Sequence, residues 1–171
     1  MSEPVRLLLV DDDPLVRAGL SSMLGGAPEL ELVGEAADGQ QAVDAVRDVR
    51  PDVVLMDIGM PVLDGVAATA AIRRRVDAPE VVMLTTFGSD QALLRALRAG
   101  ASGYLLKDAA PAEIVAAVVK VASGESVLSP QSTRQLIGPR GCSRPGRSPY
   151  DGTRGAGAVD GAGAGRRTGR G

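Results

Sequence analysis

The chain has 171 residues, 44% of them hydrophobic and only 2% aromatic, with a formal charge of −2; this is enough for one domain with a substantial core plus an appendage. The charge is split: residues 138–171 hold seven Arg against Asp151 and Asp160, leaving 12 basic and 19 acidic residues in the remainder, and an acidic body with a basic tail is not the footprint of a basic nucleic-acid-binding domain. The single cysteine, Cys142, excludes an intramolecular disulfide and suits a reducing compartment; no stretch reads as a signal peptide or a bilayer span, so a cytoplasmic location with no membrane association is expected.

In chain order, Val5 to Val10 reads as a buried strand stopped by Asp11-Asp12-Asp13-Pro14. Proline suits a first helical turn and Asp13 can cap it, with Val16, Leu20, Met23 and Leu24 as one apolar face before Gly25-Gly26. Leu30 to Ala36 is a second strand, less uniformly apolar and so placed at the sheet edge, followed by a helix opened at Asp38-Gly39. Val53 to Met56 is an unbroken apolar run, the pattern of a strand buried on both faces, and it delivers Asp57 to its carboxyl end.

Pro61 and Asp64-Gly65 form a turn into a third helix through Val66, Ala70 and Ile72, whose terminal Arg73-Arg74-Arg75 complements the helix dipole. Val81 to Leu84 is a fourth strand ending at Thr85-Thr86. Ser89 caps a helix carrying Leu93 and Leu97 and stopped by Gly100. Gly103 to Leu106 is a short fifth strand ahead of Lys107-Asp108, and Pro111 opens a fifth helix whose Ile114, Val118 and Val121 face inward. Five strands alternating with five helices predict an α/β fold, a doubly wound parallel sheet with helices on both faces. The expected organisation is a domain over 1–126, a linker over 127–137 and a Gly/Arg-rich tail over 138–171. That tail holds 11 of the 22 glycines and hardly a large apolar side chain, so it is expected to be disordered.

In a doubly wound sheet the carboxyl ends of the first, third, fourth and fifth strands converge at the topological switch point. They bring Asp11, Asp12, Asp57, Thr85 and Lys107 to one cleft. Crowded carboxylates repel unless a cation intervenes, and hard oxygen donors without His or Cys call for Mg²⁺. A site with acidic ligands and one lysine suits a phosphoryl group. Asp57 would attack phosphorus while Lys107 and the Thr85 hydroxyl take the oxygens.

Val-Asp-Asp after the first strand, Met-Asp-Ile-Gly-Met-Pro-Val-Leu-Asp-Gly, Leu-Thr-Thr-Phe and Ala-Ser-Gly-Tyr-Leu-Leu-Lys-Asp, in this order and spacing, resemble the motifs of a two-component response regulator receiver domain of the NarL/FixJ type. The resemblance covers residues 4 to about 137. It implies a flavodoxin-like, five-stranded sheet of order 2-1-3-4-5 and makes Asp57 the phosphorylation site. Asp12 would then be a direct metal ligand, Asp11 a ligand through water, and the backbone carbonyl of Gly59 a further ligand. Thr85 and Tyr104 resemble the switch pair, read out on the face of the fourth helix, fifth strand and fifth helix. The implied partners are a sensor histidine kinase and a second copy through that face.

The output implied by the resemblance is transcriptional regulation through a helix-turn-helix domain. No amphipathic periodicity follows Ile137, so DNA binding is not expected of the chain as it stands. The Gly/Arg/Ala-rich text suggests coding DNA read out of frame, and a frameshift or truncation is the expectation. A rival reading takes Asp11-x-Asp13 as the nucleophile motif of a haloacid-dehalogenase-type, Mg²⁺-dependent phosphohydrolase using Asp11. Against it, Leu15 stands where Thr or Val is wanted.

Overall fold

A computed structural model describes residues 2–86 and 89–128. The linker beyond 128 and the tail over 138–171, Cys142 included, lie outside the described residues. The order of elements is β1 (Val5–Val10), α1 (Pro14–Gly25), β2 (Leu30–Ala36), α2 (Gly39–Val49), β3 (Val53–Asp57), α3 (Gly65–Arg73), β4 (Glu80–Thr85), α4 (Asp90–Arg98), β5 (Gly103–Leu106), α5 (Pro111–Ala122) and β6 (Val127–Leu128). The strands form one sheet in the order β2-β1-β3-β4-β5-β6, with every pairing parallel. The expected alternation and doubly wound order are thus observed, with β2 at one edge. The sheet exceeds the expected five strands by one. Val127 and Leu128 pair with Gly103 and Tyr104, occupying backbone groups of β5 that would otherwise form an open edge. Two residues are too few to show any period in a sequence.

Strand alternation divides the core into two layers. Val54 and Met56 of β3 join Leu8, Val10, Met83 and Tyr104 against Ala42 and Val46 of α2, Ala68 and Ile72 of α3, and Leu93 and Ala96 of α4. Val53 and Leu55 join Leu7, Leu9, Leu84 and Leu105 on the other face, under Leu20 and Leu24 of α1 and Ile114, Val118 and Val121 of α5. All five β3 residues are buried, as a parallel strand covered on both faces requires.

Capping residues set the helix starts. Asp13 accepts the N–H groups of Leu15 and Val16, Asp38 that of Gln41, Asp64 that of Ala67 and Ser89 that of Ala92, each satisfying first-turn donors that lack intrahelical partners. Two inward faces differ from expectation. Met23 is 47% exposed while Leu20 and Leu24 fill the core. On α3 the buried set is Gly65, Ala68, Thr69 and Ile72, with Val66 and Ala70 on its flank. Thr69 is tolerated at 0% exposure because its hydroxyl donates to the Gly65 carbonyl oxygen at 2.7 Å.

Two glycines hold the loop between β3 and α3 in place. A Cβ on Gly65 would collide with the carbonyl oxygen of Asp57, and one on Gly39 with that of Leu63. Through these close approaches Gly65 N–H donates to Ile58 O at 2.8 Å and Gly39 N–H to Leu63 O at 3.0 Å. Between them Val62 has φ +67, and Leu63 N–H donates to Pro61 O at 2.7 Å. This closes a three-residue turn of the strained, positive-φ kind on a β-branched residue.

Candidate functional site

The register of the sheet assembles the site. Val10 pairs with Met56, so the next residues, Asp11 and Asp57, emerge side by side. Asp57 pairs with Leu84, putting Thr85 one step further along β4. Thr85 pairs with Leu106, and Lys107 N–H donates to Thr85 O at 2.8 Å. Four neighbouring strands therefore end in an aspartate, an aspartate, a threonine and a lysine, at the end of the sheet where open α/β folds bind ligands.

The charges are unequal. Asp11 is 1% exposed and Asp57 7%, with Asp12 exposed beside them. One oxygen from each of the three carboxylates lies within 4.8 Å of one from the others. Lys107 is the cation opposite them, its Nζ 2.7 Å from Asp11 Oδ2 and 3.1 Å from Asp57 Oδ1. Burial pushes the Asp57 carboxyl up to about 6, the charge of Asp11 pushes the same way, and Lys107 acts against both. For Lys107, burial favours the neutral form, but the hydrogen bond to Asp11 and the charge of Asp57 outweigh it and raise the ammonium above its ordinary value.

Asp11 and Asp12 differ in what they have left to offer. Asp11 Oδ1 accepts Asp13 N–H at 2.9 Å and Oδ2 faces Lys107, so its carboxylate is largely committed. Asp12 and Asp57 line an open cleft with Asp13, Val16, Ile58, Gly59, Thr85, Thr86, Ala92 and Lys107. A Cβ at Gly59 would meet nothing within 4 Å, so that side of the cleft is open. The donor set, carboxylate oxygens with adjacent backbone and no nitrogen or sulfur ligand, fits a hard divalent cation such as Mg²⁺.

Tyr104, expected to form a switch pair with Thr85, is 0% exposed and packed in the α2–α3–α4 layer. Burial raises its phenol above the ordinary value, with the Thr85 side chain acting in the opposite direction. Its hydroxyl meets no hydrogen-bond partner of full geometry among the described residues. One contributor escaped sequence reasoning altogether. Arg17 of α1 donates to the backbone carbonyl of Asp11 at 2.6 Å and to Glu35 at 3.2 Å, and nothing in the residue pattern marks it.

A parallel, doubly wound sheet with an acidic cluster, a lysine and a hydroxyl at its carboxyl end is the arrangement expected of a receiver-type domain. The rival Asp-x-Asp reading is disfavoured locally, since Asp13 is spent as the α1 cap and Asp11, 1% exposed with Oδ1 accepting Asp13 N–H, does not line the open cleft as Asp57 does.

Comparison with known proteins agrees. Residues 7–119 match the family model of the response regulator receiver domain. The chain is 43% identical over 133 residues to the transcriptional regulatory protein LnrK of Bacillus subtilis, covering 78% of this chain and 60% of LnrK. It is 41% identical over 127 residues to the response regulator protein VraR of Staphylococcus aureus, covering 74% and 61%. A two-component response regulator of the LuxR family from Aurantimonas sp. SI85-9A1 superposes with a TM-score of 0.76 at 35% identity, covering 80% of this chain and 98% of that one. The chain belongs to the response regulator receiver family of two-component systems, and its homologues are regulators of the LuxR/NarL type. It spans about 60% of the length of the curated relatives it matches. Among the described residues no helix is long and apolar enough to cross a membrane.

Proposed function

We propose that the domain accepts a phosphoryl group on Asp57 from a sensor histidine kinase and uses it to change a protein-protein surface. The observation that carries this reading is the Lys107 ammonium between two buried carboxylates, with Asp12 and an open cleft beside them. An Asp57 carboxylate oxygen forms the new bond to phosphorus while the bond from phosphorus to the donor's imidazole nitrogen breaks, and the electron pair leaves with that nitrogen. Lys107 exchanges a carboxylate for a phosphoryl oxygen, and the Thr85 hydroxyl donates to another.

Asp12, Asp57 and the Gly59 carbonyl would hold Mg²⁺ directly, with Asp11 acting through water. Bound there, the ion would offset the negative charge that the incoming phosphoryl group brings to an already acidic cleft. Thr85 and Tyr104 serve as the switch pair, and α4, β5 and α5 form the readout face and the contact for a second copy. Output through transcriptional regulation is inferred from the relatives, and a cytoplasmic location suits a kinase-dependent signalling protein. The organisation as a receiver over 1–126, a linker over 127–137 and a tail over 138–171 belongs to the same reading.

Incubation with Mg²⁺ and acetyl phosphate, followed by peptide mass spectrometry, tests the central step. A phosphoryl adduct on Asp57 that is lost in Asp57→Ala is the expected result. No adduct, or one on Asp11, overturns it.

A further inference from the structure

Arg17 lies outside the reacting groups, on the second turn of α1, and is about one-fifth exposed. Its guanidinium reaches back to the end of β1 and donates to the Asp11 carbonyl at 2.6 Å, while Nε sits 3.2 Å from Glu35 Oε1 at the end of β2. Ser21, one turn further along α1, adds a 3.4 Å contact to the other oxygen of Glu35. The Asp11 carbonyl lies one residue beyond the paired stretch of β1, which ends at Val10, so no ladder fixes it.

The consequence follows from peptide planarity. The carbonyl of Asp11 and the N–H of Asp12 belong to one rigid plane. Holding the oxygen of that plane sets where the Asp12 backbone begins and therefore where its carboxylate can point. Asp11 needs no such help. Its N–H donates to Ala36 O at 3.1 Å, and both of its carboxylate oxygens are already engaged. Asp12 is exposed, and the plane that precedes it is anchored by the Arg17 bond.

We infer that Arg17 is a positioning residue for the cation site: through the Asp11 carbonyl it orients the Asp11–Asp12 peptide, and so presents Asp12 to a divalent cation. This rests on the reading of Asp12 and Asp57 as the cation's carboxylate ligands. Partners that orient a metal ligand typically change affinity by about 10- to 100-fold when lost. Electrostatics alone predicts the opposite sign, since deleting a positive charge beside three carboxylates favours a cation. The direction of the change therefore separates positioning from simple charge.

The test is titration of the full chain with Mg²⁺, followed by amide chemical shifts around Asp57, well below the unfolding midpoint. Arg17→Ala is expected to bind Mg²⁺ about tenfold more weakly. Arg17→Gln, which keeps a donor for the carbonyl but no charge, is expected to recover most of that loss. Arg73→Ala is the control for a merely structural arginine, because Arg73 donates to Pro79 O at 2.9 Å and pairs with Glu80 at 3.4 Å, partners that sit where β4 begins. It should lower stability and leave the affinity unchanged. Arg17→Ala binding within twofold of wild type, or more tightly, overturns the inference, as does equal weakening in Arg73→Ala. Absence of Mg²⁺ binding by the wild type instead removes the cation reading on which the inference stands.

Discussion

The two ends of the sheet handle charge in opposite ways. At the amino end charges are met by local partners: Asp52 accepts the Arg6 N–H at 2.9 Å, and Arg6 donates to the Val49 and Arg50 carbonyls that end α2. Arg73 spans Pro79 and Glu80, and Ser102 bonds Glu80 in turn. These groups are partly or fully exposed and matched. At the carboxyl end three carboxylates cluster, and the two buried ones share the Lys107 ammonium. Charge that is spread out and paired at one end is concentrated and in excess at the other, and that excess is what the proposed cation and phosphoryl site would use.

This contrast can be broken at its strongest point first. Lys107→Ala leaves Asp11 and Asp57 buried against each other, and removing one partner of a buried ion pair costs about 3 kcal/mol. Urea unfolding without Mg²⁺ should register that loss most fully at alkaline pH and less of it as pH falls, because Asp57, without the lysine that holds its carboxyl down, escapes by protonation already above the wild-type value of about 6.

Asp57→Asn works in the other direction. The carboxyl is raised from 3.8 to about 6 in the fold, so the folded state holds the proton more tightly than the unfolded one. Ionised Asp57 therefore destabilises the fold fully above pH 6 and not at all below its unfolded value. Asn should stabilise the metal-free protein by on the order of 1–3 kcal/mol above pH 6, with the gain fading as pH falls towards 4. A flat difference across that range would contradict the burial argument.

Val62→Gly should add about 1 kcal/mol, relieving a β-branched residue at positive φ against the entropy cost of glycine. A fall in the thermal midpoint would mean that the 82%-exposed side chain holds the loop in some other way. At the amino end, Glu31→Ala removes a 3.9 Å pair with Arg6 in which both side chains are about half exposed. It should change stability by less than about 0.5 kcal/mol, and a larger loss would erase the contrast.

Much of this was legible in the sequence because parallel sheets write their ends plainly. Val53 to Met56 is apolar without a break and stops at Asp57, and the same grammar placed Asp11, Thr85 and Lys107 at strand termini. Features set by geometry across elements were not legible. Thr69 looks like a polar surface residue until its hydroxyl is seen to bond within its own helix, and Met23 looks like core until α1 is seen to turn Leu20 and Leu24 inward. Arg17 matters through a backbone carbonyl, which carries no side-chain signature. Lys107 could be placed in the cleft, but its simultaneous reach to Asp11 and Asp57 depends on the β1–β3 and β4–β5 registers together.

The register that lines up Asp11, Asp57, Thr85 and Lys107 also bears on folding. Each group sits at or just past the end of a different strand, and β1 and β5 are separated by most of the domain's sequence. They are joined only through the β1–β3, β3–β4 and β4–β5 pairings, each between strands separated by a helical crossover, and non-local contacts of this kind carry a loop-closure cost. No fragment lacking β1, β3, β4 or β5 contains the whole constellation, so the cleft comes into existence only with the complete sheet. A half-folded chain does not present the cleft, so anything that binds there reports on the integrity of the entire domain.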